Sequence, residues 1–231
     1  MLSTSTLNLN LNLNLNLSSS GYRKFLGNNY ECIIDVGPLG PDYIPGHAHA
    51  DMLNFVLYID NKPVIVDVGI STYEKNEQRQ IERSTSSHNT VVLENENQSD
   101  VWGGFRVGKR AQLNILNDKT DFIEAEHNGY RPIMHKRSFD FNSKGIKVLD
   151  TLSKPSDNAV AIFHFYPNLT VRVNGISLVI DEKYSIQFSN STNIVIEDYN
   201  YPLGYNNYTK SIKCIVSFST SLQTQIITHE D

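Results

Sequence analysis

The sequence has few of the features that mark a disulfide-rich, membrane or nucleic-acid-binding protein. It holds two cysteines in 231 residues, Cys32 and Cys214, so a disulfide scaffold is excluded and one bridge at most can form. It lacks the run of about 18 apolar residues that a transmembrane helix needs. Lys and Arg total 20 against 25 Asp and Glu, a net charge of −5. Without a basic surface, we expect no binding of nucleic acid.

The composition indicates one globular domain behind a low-complexity tail. Hydrophobic residues make up 39% and charged residues 19% of the chain, which suits a folded protein. Leu and Asn alternate strictly over Leu7–Leu17, and such two-letter repetition is typical of low-complexity sequence. We therefore predict a disordered or loosely attached tail over residues 1–21 and a single domain over residues 22–231.

Short apolar segments separated by turn residues follow one another through most of the domain. At intervals of roughly ten residues, they predict an antiparallel all-β sandwich. The one segment with helical character is Glu77–Arg83. The predicted strands are Cys32–Asp35, Met52–Ile59, Val64–Asp67, Thr90–Leu93, Ala111–Leu116, Phe122–Glu126, Ile133–Phe141, Lys147–Thr151, Ala159–Phe165, Leu178–Ile180 and Ile212–Phe218.

The segment from His47 to Asp51 has the densest concentration of chemically active side chains. In an extended conformation, His47, His49 and Asp51 would lie on one face. Two imidazoles two residues apart, with a carboxylate, suit zinc and similar divalent ions. Taken alone, the triplet is equally compatible with polar residues at a strand end.

Two later residues strengthen the case for a metal. Asp67 ends an apolar segment, where a buried carboxylate needs a partner. His88 precedes the next apolar segment, so three neighbouring strands could bring His49, Asp67 and His88 together as a site of two histidines and one carboxylate. The alternatives are a turn-capping aspartate and a hydrogen-bonded core histidine. By contrast, His127, His135 and His164 lie in apolar alternating runs and are expected to be core or surface histidines.

Cations and aromatic residues alternate downstream of this segment. On an acidic protein, such a cluster suits an anionic sugar polymer, since guanidinium groups pair with carboxylate or sulfate and rings stack on pyranose faces. For each residue, a solvent-facing position on a strand is an equally good explanation. The cations are Arg79, Arg83, Arg106, Lys109, Arg110, Arg131, Lys136 and Arg137, and the rings are Tyr73, Trp102, Phe105 and Tyr130.

As an ordered set, these motifs resemble the C-terminal β-sandwich domain of the heparinase II/III-like polysaccharide lyases, a group that includes alginate lyases. The resemblance is strong over about residues 30 to 170. The matching segments are Gly40-Pro41, Pro45-Gly46-His47-Ala48-His49-Ala50-Asp51, Val66-Asp67-Val68-Gly69, Arg83-Ser84-Thr85, Ser87-His88-Asn89-Thr90, Gln98 through Trp102, Phe105-Arg106-Val107, Gly129-Tyr130 and His135-Lys136-Arg137.

The resemblance implies a role for each site residue. It implies a largely structural zinc ion held by His49, Asp67 and His88, while His47 faces the sugar cleft and assists catalysis. The implied reaction is β-elimination on a uronate-containing, anionic polysaccharide. It also implies a periplasmic or cell-envelope location, although the sequence shows no export signal.

The sequence departs from the family in what precedes the sandwich. Complete enzymes carry an α/α toroid there, which supplies a catalytic Tyr and a residue that neutralises the substrate carboxylate. Only about 30 low-complexity residues stand ahead of the sandwich here. We therefore expect little lyase activity from the chain alone, and a toroid supplied by a separate polypeptide or by a longer gene product.

Two other functions remain open. The chain could be a non-catalytic, zinc-stabilised carbohydrate-binding module that keeps the same motifs for folding and sugar docking. It could also be a cupin-type metal oxygenase, since cupins use the H-x-H triplet too. Cupins carry a Glu about four residues after the second His, where this sequence has Met52-Leu53-Asn54-Phe55, and this counts against them.

Overall fold

The computed structural model describes residues 15–17, 20–41 and 43–228, which fold into antiparallel sheets with one short α-helix and a 3-10 helix over Thr85–Ser87. The first sheet has five strands, in the order of the chain. They are β1 (Leu15–Leu17), β2 (Tyr22–Leu26), β3 (Tyr30–Asp35), β4 (Phe55–Ile59) and β5 (Lys62–Ile65). The strand β1 lies within the segment predicted to be a tail, and it pairs antiparallel with β2. Most of that segment, residues 1–14 with 18 and 19, lies outside the described residues.

Two further sheets and a two-stranded ribbon, β7–β8, complete the fold. An eight-stranded sheet has the order β14-β15-β16-β19-β12-β11-β10-β9, and a four-stranded sheet has the order β17-β18-β13-β6. The bounds are β6 (Val91–Leu93), β7 (Val101–Trp102), β8 (Arg106–Val107), β9 (Leu113–Asp118), β10 (Phe122–His127), β11 (His135–Asn142), β12 (Gly145–Leu152), β13 (Ala159–His164), β14 (Val171–Asn174), β15 (Ser177–Ile180), β16 (Tyr184–Ser189), β17 (Asn193–Gly204), β18 (Asn207–Phe218) and β19 (Ser221–Ile227).

The core lies where the three large sheets meet. Side chains alternate between buried and partly exposed along β3 and β10, as expected for strands with one face in the core. Phe55 of the first sheet packs edge-on against Phe139 of the eight-stranded sheet, with ring centroids 5.5 Å apart. It also packs against Phe163 of the four-stranded sheet, at 6.3 Å. These contacts join the sheets and confirm the predicted antiparallel all-β sandwich.

The helix α1 (Glu77–Glu82) follows the first sheet and lies beside the candidate site. The Asn76 side chain caps it by accepting a hydrogen bond from the backbone N–H of Arg79 at 2.9 Å. The predicted helical segment is thus confirmed. Both cysteines are buried free thiols. Within the described part of the chain, no helix has the length and apolar character needed to cross a bilayer.

Several predicted strand limits were wrong around the candidate site. The segment from Met52 to Asn54 is a turn before β4, and β5 ends at Ile65, two residues before Asp67. Leu53 has a positive φ of 62°, a left-handed conformation that cannot continue a strand. The key side chains therefore lie on loops at the ends of strands.

Candidate metal and substrate site

The segment that carries His47 and His49 is a loop between β3 and β4, which corrects the extended conformation assumed from its alternation. Its backbone N–H groups bond to loop carbonyls instead of a neighbouring strand. The N–H of Ala48 donates to the carbonyl of Pro45 at 2.9 Å, and the N–H of Ala50 donates to the carbonyl of Arg83 at 3.0 Å. Ala50 is fully buried, which fixes the side of the loop that faces the protein.

The Arg83 side chain binds this loop on its protein-facing side. Its guanidinium donates to the carbonyl of Ala48 through Nε at 3.1 Å and Nη2 at 2.9 Å. Since Ala48 lies between His47 and His49, the Arg83 side chain fixes the backbone that presents both imidazoles. Arg83 is itself fully buried. Its predicted contact with a sugar polymer is therefore wrong.

His88 is the most completely buried residue of the site. Its Nδ1 lies 2.7 Å from Oδ1 of Asp67, and its Nε2 is buried with no hydrogen-bond partner among the described residues. Asp67 is half-buried and lies in the loop after β5. One ring nitrogen is thus oriented by a carboxylate while the other is unpartnered, an arrangement typical of a metal-binding imidazole.

Three ligand-bearing side chains converge around His88. One potential ligand atom each from His49, Asp51 and His88 lies within 4.8 Å of the other two. The rings of His49 and His88 have centroids 5.2 Å apart. The structure thus brings together His49, His88 and, through its bond to His88, Asp67. It adds Asp51, which the sequence placed on the same face as His49 but did not assign to a metal.

The charges of the site also fit a cation. Burial, followed by repulsion from His88, lowers the pKa of His49 to about 3, so its imidazole is a neutral ligand at neutral pH. Burial, together with repulsion from neighbouring carboxylates, raises the pKa of Asp51 to about 6 and that of the nearby Asp35 to about 7. A divalent cation would relieve this repulsion between crowded carboxylates.

Asp67 and His88 form an ion pair inside the site. Burial opposes charge on both, but their mutual attraction prevails. The His88 ring lowers the pKa of Asp67, and the carboxylate raises the pKa of His88 to about 9. A metal ion would therefore have to displace a proton from His88.

His47 occupies a different position from the other histidines. It is exposed and lines a cleft of about 420 Å³, together with His49, Asp51 and Asp67. Tyr22 lines the same cleft, and Asp35 holds its pKa at about 12 so that the phenol stays protonated. Of the described residues, His47 is not among those that converge on a possible ion. His47 is therefore positioned to contact a ligand bound in the cleft.

Asn89 fixes the loop after His88, a role that the sequence analysis missed. Its side-chain Nδ2 donates to the carbonyls of Phe55 at 2.8 Å and Val66 at 2.9 Å. Its Oδ1 accepts from the N–H of His164 at 2.7 Å. The only available signal was a polar Asn directly before an apolar segment, which does not reveal that it is fully buried.

Arg137 supports the same loops from the eight-stranded sheet. It is fully buried, and its Nη1 donates to the carbonyls of Leu53 at 2.9 Å and Asn89 at 2.7 Å. Its Nε and Nη2 donate to the buried carboxylate of Asp150 at 2.7 Å and 3.0 Å. The prediction that Arg137 contacts a sugar polymer is therefore wrong, because its charge is paired inside the protein.

The remaining cations and rings divide between surface and core. Arg106 and Lys109 are exposed, as are Trp102 at 43% and Phe105 at 36%. Tyr130 is buried and donates its hydroxyl to the carbonyl of Val91 at 2.7 Å, so its predicted part in sugar binding is wrong. His127, His135 and His164, which were expected to be core or surface histidines, are all buried in the core.

Comparisons with known proteins bear on both fold and family. The sequence profile described as "Heparinase II/III-like, C-terminal" matches residues 13–230. The structure of heparan sulfate lyase HepC from Pedobacter heparinus superposes with a TM-score of 0.71 at 17% sequence identity, covering 95% of this chain and 37% of that chain. A structure of heparinase III gives a TM-score of 0.69 at 16% identity, covering 91% and 36%.

These structural neighbours establish a shared fold over part of a larger protein. At such identities, the similarity concerns the fold alone. The chain spans about a third of the length of the solved structures that it matches, from 34% to 37%. No match to a curated protein is significant.

Proposed function

The chain belongs to the heparinase II/III-like C-terminal domain family, and we propose that it is the β-sandwich half of a lyase that cleaves uronate-containing polysaccharide by β-elimination. The observation that carries the proposal is the position of His47. It is exposed in the cleft, directly beside the group of His49, Asp51 and His88. An imidazole in such a place can move a proton to or from a sugar bound in the cleft.

The donor set suits a zinc ion with a structural role. We propose His49, Asp67 and His88 as ligands, with Asp51 as a further donor. Two imidazoles and two carboxylates would complete a closed site of four protein ligands, as structural zinc prefers. When bound, zinc would hold three loops together. The unpartnered Nε2 of His88 and the crowded carboxylates support this assignment.

The proposed reaction requires two proton transfers. A base takes the proton from C5 of a uronate, the C4–C5 double bond forms, the C4–O4 bond breaks, and an acid protonates the departing O4. The enolate-like intermediate needs donors or cations at the substrate carboxylate. His47 is the proposed proton-transfer residue of this chain, and we place the second one on an α/α toroid domain supplied by further polypeptide.

The test measures formation of the unsaturated uronate product by ultraviolet absorbance, with heparan sulfate and alginate as substrates. We expect little turnover by the chain alone and turnover when a toroid polypeptide complements it. His47→Ala should lower the complemented rate by about a hundredfold or more, with zinc content and melting temperature unchanged. Ile44→Ala, at an exposed position of the same loop, is the matched control. Full turnover by the chain alone, or by the complemented His47→Ala variant, contradicts the proposal.

A non-catalytic carbohydrate-binding module is the second candidate. It is favoured by the exposed rings of Tyr73 and Phe105 next to the cleft, which suit sugar stacking irrespective of catalysis. The same His47→Ala experiment separates the two functions. A binding module would retain saccharide binding and never yield the unsaturated product, whatever toroid is supplied.

A further inference from the structure

Two aromatic rings form a surface beside His47, which we name the aromatic platform and define as Tyr73 and Phe105. The rings are parallel within 3°, with centroids 6.4 Å apart. Tyr73 is 50% and Phe105 is 36% exposed. They come from separate loops, one between β5 and α1 and the other between β7 and β8. A contact that joins the two loops must therefore hold the rings parallel.

Arg79 of α1 supplies this connection. Its guanidinium carbon lies over both rings, 5.1 Å from the centroid of Tyr73 and 4.9 Å from that of Phe105. Its Nη1 donates to the carbonyl of Thr72 at 3.4 Å, and its Nε donates to that of Gly104 at 2.9 Å. These carbonyls belong to the residues directly before the two aromatic residues. One buried side chain thus fixes both rings and the backbone at each.

The platform is continuous with the cleft through His47. The imidazole meets both rings edge-on, with centroids 5.8 Å from Tyr73 and 6.0 Å from Phe105. Because His47 contacts both rings and also lines the cleft, a sugar bound on the platform would lie close to this imidazole.

The charge around the platform favours an anionic occupant. Arg79 and Arg83 are fully buried, and Nη2 of the first and Nη1 of the second have no hydrogen-bond partner among the described residues. Glu82 is the buried carboxylate next to Arg79. The exposed charges next to the platform balance, with Lys75 and Arg106 against Glu74 and Glu77. Two buried guanidinium groups, one of them over the rings, against one buried carboxylate leave an excess of buried positive charge at this end of the site.

We propose that the aromatic platform is a stacking subsite for a pyranose ring of an anionic, uronate-containing saccharide, and that it sets the sugar against His47. Aromatic rings offer apolar faces to the C–H groups of a pyranose, and the cations attract its carboxylate. Tyr73 and Phe105 are binding residues here, and Arg79 is a positioning residue. The identity of the sugar rests on the proposed function, whereas the stacking geometry does not.

Calorimetric titration of the full chain tests the subsite, with three hexasaccharide probes. Two carry uronates, one derived from heparan sulfate and one from alginate, and the third is neutral cellohexaose. We expect the uronate probes to bind more tightly than cellohexaose. Tyr73→Leu and Phe105→Leu should each weaken uronate binding by about tenfold, which corresponds to about 1.4 kcal/mol for the loss of a stacked ring. Tyr73→Trp, which keeps a ring, should bind like the wild type.

Controls separate the subsite from folding and from catalysis. Tyr58→Ala removes a tyrosine that is 38% exposed and lines a different cleft, and it should leave binding unchanged. Melting temperatures identify a Leu variant that fails to fold, in which case unchanged binding by the other, folded Leu variant overturns the subsite. Absence of binding by the wild type, equal binding of cellohexaose, or unchanged binding by both Leu variants overturns the subsite. The turnover assay with His47→Ala judges the proposed reaction separately.

Discussion

Asp51 and Asp67 differ in their relation to His88. Asp67 contacts Nδ1 of the imidazole at 2.7 Å, whereas Asp51 belongs to the group whose ligand atoms converge with those of His49. A carboxylate that orients a histidine raises its basicity and fixes its ring, and one in the converging group contributes charge to the ion directly. Both carboxylates should therefore matter for metal binding.

Amide substitutions test both carboxylates while preserving their shape. Asp67→Asn should weaken zinc binding by about 10- to 100-fold, because the ion loses a proposed ligand and His88 loses its charged partner. Asp51→Asn should weaken it at least as much, because it removes negative charge from the converging group. Competition titration against a chromophoric chelator measures both affinities, with exposed Asp157→Asn as the control. Wild-type affinity in Asp51→Asn would remove Asp51 from the proposed donor set.

The eight-stranded sheet carries a buried chain of hydrogen bonds across β10, β11 and β12. The N–H of Gly129 donates to Nδ1 of His127 at 3.2 Å, which makes Nε2 of His127 the donor to Nδ1 of His135 at 3.0 Å. Nε2 of His135 then donates to Asp150 at 2.7 Å. Every step of this chain is satisfied when both histidines are neutral. Burial lowers the pKa of both, that of His127 to well below its ordinary value.

Because this hydrogen-bonded series requires neutral histidines, we expect acid to destabilise the fold. A histidine kept neutral in the folded state contributes its full stability above a pH of about 7.5, and the contribution falls once the unfolded chain takes up a proton below about pH 6.5. Between pH 7.5 and 5.0, wild type should lose about 2 kcal/mol more unfolding free energy than His127→Gln, whose amide does not titrate. Urea denaturation at both pH values measures the difference. Equal losses in the two proteins would show that His127 does not titrate as described.

At the scale of the whole molecule, the sequence predicts the strands far better than the loops. Alternation located β10 and β13 to within a residue or two at each end, because each has a face in the core. The strand β17 was missed, since it is long, mostly polar or half-exposed, and contains Pro202. It lies at the edge of the four-stranded sheet, the position at which a strand tolerates proline.

At the candidate site, the sequence likewise predicted the metal-binding residues but not the conformation of the loops that carry them. His49, Asp67 and His88 were found because metal-binding side chains form recognisable short motifs. The conformation of their loops was not found, because it depends on contacts between residues far apart in sequence. Arg83 and Ala48 are 35 residues apart, and Arg137 and Leu53 are 84 apart. No local pattern reveals such buried polar contacts, since Arg and Asn are usually exposed.

The zinc content of the purified full chain, measured by elemental mass spectrometry after dialysis, tests the proposed metal site most directly. We predict about one zinc per chain for the wild type and for His47→Ala, and little or none for His49→Ala and His88→Ala. The two groups differ because His47 faces the cleft while His49 and His88 converge with Asp51. A wild-type chain without zinc, or full zinc content in both His49→Ala and His88→Ala, would contradict the proposed zinc site.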